Sequence, residues 1–444
     1  MTQQLKKIIL LLGDILILYT SLYLTLLIRY QAVEPKRWQQ HLTPFTIIYL
    51  LWLIIFYIAG LYDLNLARNN VKFFTLLFKT LLICGFLATA FFYFIPYFGI
   101  TPKTNLFINL LLFAIFFIFW RQLFNSFIKS RALLNAVLII GQGKEAEQIA
   151  EKINHNPQLG YKITEIVSSK ILQNISSFKE LLKKNNINTI VIGNPSYHQD
   201  EALVQALYQC LPLKINFIDL TTFYEEITNK IPIPLIKEIW FLENLMESKK
   251  NVYQGIKRFL DFLLACLLGI ISLAITPFIA LAIKINSKGP VLFKQIRIGK
   301  SGKPFLALKF RSMFISAEKF GPQWAKPQDP RITKVGRFLR KTRLDELPQL
   351  WNVLKGEMGF IGPRPERPEF VQQLEQKIPY YQIMHLIKPG LSGWAQINFP
   401  YGASVEDALE KLQYELYYLK NRSLILDLGI ALRTIKIILQ REGR

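Results

Sequence analysis

The residues best suited to chemistry lie in one run, Arg337–Pro365, RFLRKTRLDELPQLWNVLKGEMGFIGPRP. Arg337, Arg340, Lys341 and Arg343 lead into the adjacent carboxylates Asp345 and Glu346. A short amphipathic helix is predicted through Leu350, Trp351 and Leu354, and Gly362-Pro-Arg-Pro365 forms a rigid turn presenting one guanidinium. Two neighbouring carboxylates among cations suit phosphoryl chemistry on a diphosphate, because a carboxylate can attack phosphorus and form a covalent intermediate. Nucleophile and diphosphate are both anionic, so a divalent cation and arginines must neutralise them. Arginine suits the task because its planar fork grips two phosphate oxygens at once. An Asp-Glu dipeptide alone more often stabilises a helix N-terminus. The surrounding cations shift this one towards a reactive role.

These residues need a scaffold, and the apolar segments dominate what the chain offers. Phe259–Ile283 is long enough to span a bilayer, but Thr276-Pro277 interrupts it. Proline removes one helical hydrogen bond and clashes with the carbonyl of Leu273. Lys257 and Arg258 precede the segment, and Lys284 and Lys288 follow it. Positive charge at both ends favours keeping both ends in the cytoplasm. The expected form is a kinked helix that enters one leaflet and returns. A proline-kinked fifth span is the alternative, and it would put residues 290–444 outside the cell.

Four more apolar runs fill the first 125 residues: Ile8–Ile28, Phe45–Leu61, Phe73–Phe98 and Leu106–Phe124. Crossing ~30 Å of hydrocarbon takes roughly 20 helical residues, so each reads as a span. Lys6, Lys7, Arg68, Lys72, Lys129 and Arg131 flank them on the side expected to be cytoplasmic, although Arg29, Lys36 and Arg37 weaken the asymmetry. No small-residue cleavage site follows the first run, which therefore reads as an anchor.

From Arg131 to about Trp240 the pattern becomes α/β. Short apolar runs at Ala136–Ile140, Ile163–Val167, Thr189–Ile192 and Ile215–Ile218 alternate with helix-like stretches at Lys144–Ile153, Phe178–Asn185 and Asp200–Cys210. A small parallel sheet with right-handed crossovers follows. Its first turn, Gly141-Gln-Gly143-Lys-Glu-Ala146, matches GxGxxA, yet the second strand ends at Ser168-Ser169 where an acidic residue should hold a ribose. The favoured reading is a tight turn in a sheet that has lost its ligand. The stretch Leu424–Leu439 suits either the lipid interface or packing on the catalytic part.

Composition agrees with a membrane enzyme. Apolar residues make up 51% of the 444, too many for an ordinary soluble enzyme, and the net charge of +23 calls for an anionic partner. Nucleic acid is disfavoured because the basic residues accompany apolar segments and no reader motif occurs. Cys84, Cys210 and Cys266 lie far apart, without disulfide or zinc spacing.

Residues from about Tyr253 to the C-terminus resemble the bacterial sugar transferases, the monotopic phosphoglycosyl transferases. The resemblance is carried by KRFLDFLLA at Lys257, the Thr-Pro break, GPVLFKQIRIG at Gly289 and LKFRSM at Leu308. LDELPQLWNVLKGEMGFIGPRP and KPGLSGWAQIN at Lys388 complete it. The whole chain resembles the larger polyprenyl glycosylphosphotransferases of exopolysaccharide synthesis. That resemblance implies a four-helix transmembrane region at 1–128, a Rossmann-like cytoplasmic α/β domain at 129–242 and a linker at 243–254. An α-rich catalytic domain would fill 255–444, with its re-entrant helix at 256–284.

The resemblance also implies roles. Asp345 would be the nucleophile, releasing UMP from a UDP-sugar. Glu346 would share Mg²⁺ with Asp345 and activate the acceptor phosphate, and Lys309, Arg340, Arg364 and, more weakly, Arg311 would lie near the diphosphate. Thr276 and Pro277 would break the re-entrant helix, and Glu415 aligns roughly with a family aspartate in the substrate site. The reaction would be ping-pong, moving a hexose-1-phosphate (glucose or galactose) through an aspartyl intermediate to undecaprenyl phosphate. The site would face the cytoplasm of a bacterial inner membrane, among membrane lipids, and a homodimer is compatible with the resemblance. After Gln396-Ile-Asn398 the chain departs from many relatives, reading Phe-Pro-Tyr-Gly-Ala-Ser-Val-Glu-Asp to Asp407, so no loop arginine carries over. The competing functions are a membrane-bound NAD-dependent nucleotide-sugar dehydratase, which lacks its Tyr-x-x-x-Lys context here, and a non-catalytic lipid- or nucleotide-sensing scaffold.

Overall fold

The computed structural model describes residues 3–64, 70–98, 103–129, 134–193, 197, 200–245, 250–319, 321, 329–399, 402 and 404–439. Arg68 and Arg131, used above for orientation, lie outside them, as do parts of the predicted linker and of the loop after Asn398. The chain forms two compact units, Met1–Ile227 and Thr228–Arg444.

The first unit begins with four helices, α1 (Gln3–Tyr30), α2 (Pro35–Ala59), α3 (Val71–Phe94) and α4 (Lys103–Lys129). Each is long and apolar enough to cross a membrane, and the chain is a membrane protein. Their inner faces bury large rings such as Trp52, Phe56, Phe113 and Phe117, with Phe56 stacked on Phe113 at 5.6 Å. Their outer faces expose Leu16, Phe86 and Phe107, as expected where lipid rather than water is the solvent. One ion pair lies inside the bundle: Arg121 on α4 reaches Asp14 on α1 at 2.7 Å.

A four-stranded parallel sheet follows, built from β1 (Asn135–Ile140), β2 (Tyr161–Val167), β3 (Thr189–Ile192) and β4 (Asn216–Asp219) in the order β2-β1-β3-β4. Helices α5 (Lys144–Asn154), α6 (Ile175–Lys184), α7 (Glu201–Tyr208) and α8 (Leu220–Thr228) accompany it. The predicted strands and helices agree with these to within about two to three residues at their ends. β1 and β3 are apolar along nearly their whole length because helices cover both faces of a parallel sheet. Gly141 has φ +138°, and a Cβ there would approach the Cα of Gly193 to 3.0 Å, so the turn after β1 needs glycine. At the end of β2, the Ser168 hydroxyl accepts the Lys170 amide and begins a 3-10 turn. The sheet is tied to the helices beneath it: Gln158 donates to the Leu64 carbonyl at 2.9 Å, and the buried Lys6 ammonium donates to the Leu159 carbonyl.

The second unit opens with α9 (Glu238–Asn244), packed through Phe241 on Tyr380 with ring centroids 4.8 Å apart. Ile231 and Ile233 join the same core as Val371, Leu412 and Leu416. The 36-residue helix α10 (Asn251–Asn286) comes next and runs unbroken through Pro277. Thr276 donates its hydroxyl to the Ser272 carbonyl at 2.8 Å, one turn back. An antiparallel hairpin, β5 (Leu292–Ile298) and β6 (Pro304–Phe310), follows, then α11 (Lys334–Lys341) and α12 (Leu350–Lys355). Two three-residue strands, β7 (Gly359–Ile361) and β8 (Gly390–Ser392), pair in parallel. Helices α13 (Pro368–Lys377), α14 (Trp394–Asn398), α15 (Val405–Asn421) and α16 (Leu424–Leu439) complete the unit. α16 packs through the fully buried Ile430 on Ile361, Trp394 and Tyr418.

Both ends of α10 are fastened to this unit. Near its start, Arg258 donates to the carbonyls of Val353 and Leu354 at 2.6 and 2.7 Å, capping the end of α12. Asp261 accepts the Phe360 amide, and Ala265 packs on Val353 and Met358. Near its end, Ile279 and Ile283 pack on Phe310 and Leu339, and Asn286 accepts the Val335 amide at 3.1 Å. Between these anchors Leu267, Ile270, Leu273 and Phe278 are exposed.

Candidate active site

Three elements converge on the Asp-Glu pair. The hairpin supplies Lys309, which sits opposite Phe293 near the end of β6. Helix α11 supplies Arg340; Thr333 caps the helix by accepting the Gly336 amide at 2.9 Å. Gly336 lies against the Ser312 carbonyl so closely that any Cβ would collide. Arg340 donates through Nε to the Ser312 hydroxyl at 2.8 Å. Arg343 then adopts a left-handed φ of 58°, which ends α11 and turns the chain into the 3-10 segment Leu344–Gln349. Asp345 and Glu346 stand at the start of that segment.

The third element is the Gly362–Pro365 turn. The Gly362 amide donates to the Ser392 carbonyl at 2.9 Å, and the Gly390 amide donates to that of Pro363 at 2.9 Å. Arg297 donates to the Pro365 carbonyl at 3.0 Å. Below the turn, the carboxyl of Glu415 accepts the Arg364 amide. With its backbone held on several sides, the turn directs the Arg364 side chain to Glu346.

Three cations meet on one oxygen. Glu346 Oε1 lies 2.9 Å from Lys309 Nζ, 3.3 Å from Arg364 Nη2 and 3.7 Å from Arg343 Nη1. Burial alone would oppose ionisation of Glu346, but Lys309, Arg364 and Arg343 overcome it and hold the carboxyl well below its usual range. Asp345 behaves in the opposite way. It is buried, its Oδ1 has no hydrogen-bond partner among the described residues, and burial followed by the Glu346 charge pushes its carboxyl up. Lys309, Arg340 and Arg343 offset that rise only in part. Burial also pulls the Lys309 ammonium down. The arrangement is an acid held ionised by cations beside a second carboxyl with an unclaimed oxygen.

The structure thus brings Asp345, Glu346, Lys309, Arg340 and Arg364 into one cluster. Arg311 is placed elsewhere: its guanidinium donates to the carbonyls of Ser287 and Lys288, both at 2.7 Å, and closes the end of α10. Glu415 is buried under the Arg364 turn, and burial raises its carboxyl to about 8. Thr276 and Pro277 lie within α10. Arg343 was legible only as one cation of the run, because its reach to Glu346 depends on a left-handed backbone that the sequence does not announce.

The residues also bear on a divalent cation. No group of three or more metal-ligating side chains occurs among the described residues. Two carboxylates with substrate phosphate oxygens are nonetheless the usual set for Mg²⁺, which rarely takes an all-protein cage. The unpartnered Asp345 oxygen beside an ionised Glu346 fits that donor set.

Comparison with known proteins follows the same region. The family model described as bacterial sugar transferase matches residues 252–441. An Aeromonas hydrophila protein named UDP-N-acetylgalactosamine-undecaprenyl-phosphate N-acetylgalactosaminephosphotransferase is 41% identical over 237 residues, 53% of this chain and 55% of the relative. The UDP-glucose:undecaprenyl-phosphate glucose-1-phosphate transferase of Escherichia coli (strain K12) is 33% identical over 321 residues, 67% of this chain and 66% of the relative. A Bacillus subtilis (strain 168) protein named as a putative undecaprenyl-phosphate N-acetylgalactosaminyl 1-phosphate transferase is 48% identical over 134 residues, 30% of this chain and 75% of the relative. The chain spans a little over half of the first of these relatives and just under two thirds of the second.

Proposed function

Since the chain belongs to the bacterial sugar transferase family, we propose that it moves a sugar 1-phosphate from a UDP-sugar to undecaprenyl phosphate. The observation that carries this reading is Asp345, with an unclaimed oxygen, beside Glu346 held ionised by three cations. An Asp345 oxygen bonds to the sugar-bearing phosphorus while the bond from that phosphorus to the bridging oxygen breaks. The electron pair leaves with that oxygen on UMP. A phosphate oxygen of the lipid then attacks the same phosphorus, which frees the Asp345 carboxylate and forms the lipid diphosphate.

In this scheme Lys309 and Arg364 face the diphosphate with their charge only partly spent on Glu346, and Arg340 and Arg343 offset the charge on Asp345. Asp345 and Glu346 would hold Mg²⁺, which when bound neutralises phosphate charge. Glu346 keeps its ionised form and so sustains the cation wall throughout the cycle. The expected donors were glucose and galactose; relatives named for glucose and for N-acetylgalactosamine extend the candidates to acetamido sugars.

The re-entrant form of α10 belongs to the same proposal. A straight 36-residue helix is roughly 54 Å long, well beyond the ~30 Å of hydrocarbon. Its ends, however, are fastened to one unit, at Arg258 and Asp261 and at Ile283 and Asn286. Anchoring both ends to one body favours both flanks on one face of the membrane, and a bend at Thr276-Pro277 would let the exposed middle enter lipid and return. That face would be the cytoplasmic side of the inner membrane.

Two experiments test the reading. Asp345→Asn should abolish UMP release from UDP-sugars even without lipid acceptor; normal release by that variant would overturn the nucleophile. A single cysteine placed at Lys288 should be labelled only from the cytoplasmic side. Periplasmic labelling would establish a fifth crossing instead.

A further inference from the structure

The cations that lead into the Asp-Glu pair divide between two tasks. Arg340 and Arg343 turn to Ser312 and Glu346, whereas Arg337 and Lys341 stand exposed on the other side of α11. Lys334, Arg337, Phe338 and Lys341 recur at helical spacing, so they share that outer side, and all four are exposed. Phe338 is 59% exposed between the two cations. Neither Arg337 nor Lys341 has an acidic partner among the described residues. A lone exposed ring is ordinary on a protein surface. Its surroundings give this one a meaning.

The inner side of α11 is fastened to the end of α10, with Leu339 and Val335 packed on Ile283 and the Val335 amide donated to Asn286. Around that end Leu281 and Ile285 are exposed, Ile285 by 78%, together with Lys284 and Lys288. Ile315 lies against Gly289, just past Lys288, and is exposed as well. No Asp or Glu occurs between Asp261 and Glu318, or between Asp329 and Asp345. These segments therefore set rings and aliphatic chains beside cations and contribute no acid to balance them. That is the composition of a boundary between hydrocarbon and anionic headgroups, where long cationic chains reach outward from a greasy base. The position agrees with the composition, because α10 carries the exposed apolar middle that enters lipid and this belt stands at its end.

We propose that the outer side of α11, with the end of α10, docks on anionic phospholipid headgroups. Arg337 and Lys341 meet lipid phosphates, and Phe338 enters the acyl boundary between them. The inference goes beyond the transfer reading and rests on α10 entering lipid, whichever face of the membrane its ends occupy. Bulk phospholipid is the partner rather than the acceptor, because these side chains stand on the opposite side of α11 from Arg340. Their effect on the reaction passes through the height of the helix. Lys341 is followed four residues later by Asp345, so docking fixes the reactive carboxyl at headgroup depth, where the phosphate of a lipid acceptor lies.

The test uses the full chain in nanodiscs of phosphatidylcholine, with and without phosphatidylglycerol. Cys84 and Cys210 are buried, so Cys266→Ala with Phe338→Cys leaves one reactive thiol for a nitroxide. That label should collide more with oxygen than with a water-soluble nickel complex. Phosphatidylglycerol should lower the KM for undecaprenyl phosphate by about fivefold or more, the scale of one basic side chain at an anionic surface, and salt should blunt the effect. Arg337→Gln/Lys341→Gln should abolish the response to phosphatidylglycerol, and Arg337→Lys/Lys341→Arg should retain it. Both positions are exposed, so the fold should survive either pair. UMP release without acceptor should stay within about twofold in both pairs, because the Asp345 cluster is untouched. A glutamine pair that responds like wild type would overturn the inference, as would a label that favours nickel over oxygen. Dipolar broadening between labels would put a second copy of the chain on this face and overturn it too. The oxygen measurement needs no turnover. Failure of the wild-type chain to release UMP from any UDP-sugar would therefore bring down the transfer reading alone.

Discussion

Two ionic clusters, one in each unit, show how charge bookkeeping distinguishes a structural pair from a reactive one. Asp14 and Arg121 meet one to one inside the helical bundle, with side chains 0% and 1% exposed. The guanidinium also lies over the Phe117 ring at 4.5 Å. Around Asp345 and Glu346, two carboxylates face Lys309, Arg340, Arg343 and Arg364, and the partners of Glu346 are between 21% and 31% exposed. The first cluster is balanced and closed, so its geometry fixes α1 against α4. The second has surplus positive charge and an opening, which is the condition an anionic substrate needs.

The sharpest way to break this contrast is to remove one acid from each cluster. Asp345→Asn should lower transfer by about four orders of magnitude or more, as loss of a covalent nucleophile does. The same change should not weaken the fold. A carboxyl raised in the folded state binds its proton longer than the unfolded chain does, so its contribution to stability falls as pH rises above the ordinary aspartate value of about 3.9. Asparagine removes that loss, and the thermal midpoint at neutral pH should be unchanged or higher. Asp14→Asn should do the reverse, since stranding a buried guanidinium costs about 3–5 kcal/mol. Its thermal midpoint should fall steeply, whereas Asp14→Leu with Arg121→Met should recover most of the loss. A mild Asp14→Asn would show that the bundle pair is not structural.

The two clusters also differed in how well the sequence announced them. All of the site but Lys309 lay in one contiguous run, so adjacency in sequence largely served for adjacency in space. The sheet strands were legible because short apolar runs alternate with polar helices. The hairpin β5–β6 was not, because it exposes Leu292, Ile296 and Leu306 and so lacks the buried alternation that marks a strand. Asp14 and Arg121 are 107 residues apart, inside runs that hydropathy treats as uniformly greasy, and only the packing of α1 on α4 joins them. Arg311 stood two residues from Lys309 and shared its charge, yet it lies just past the end of β6 and its guanidinium turns towards the end of α10. Glu415 could be placed only roughly, because its burial beneath the Arg364 turn depends on how α15 packs.

A smaller effect is expected from single cations of the open cluster. Lys309→Ala removes one of three charges on Glu346 and one of the groups facing the diphosphate, and should cost about 10²–10³ in kcat, the scale of losing one transition-state donor. It should also move the acid limb of the pH profile upwards, because Asp345 loses the largest of the three charges that draw its carboxyl down. A profile that stays in place would show that Asp345 titration does not govern the limb.

The smallest effect tests whether Glu415 belongs to the open cluster or to the scaffold beneath it. Burial raises this carboxyl to about 8, so at pH 7 it is mostly protonated, and glutamine matches that form in shape and charge. Glu415→Gln retains an acceptor for the Arg364 amide, so kcat at pH 7 should change by no more than about threefold, under 1 kcal/mol of barrier. The difference should emerge under alkaline conditions. A carboxyl whose folded value exceeds its unfolded value of about 4.3 withdraws stability as pH climbs from there through about 8. Wild type should therefore lose thermal stability across that window, and the glutamine variant should lose less, so that the two midpoints diverge most above pH 8. If Glu415→Gln instead raises the KM for UDP-sugar while both midpoints coincide at every pH, the carboxylate touches substrate. Glu415 would then join Asp345 and Glu346 as a third acid of the open cluster, and positive surplus would no longer describe that site.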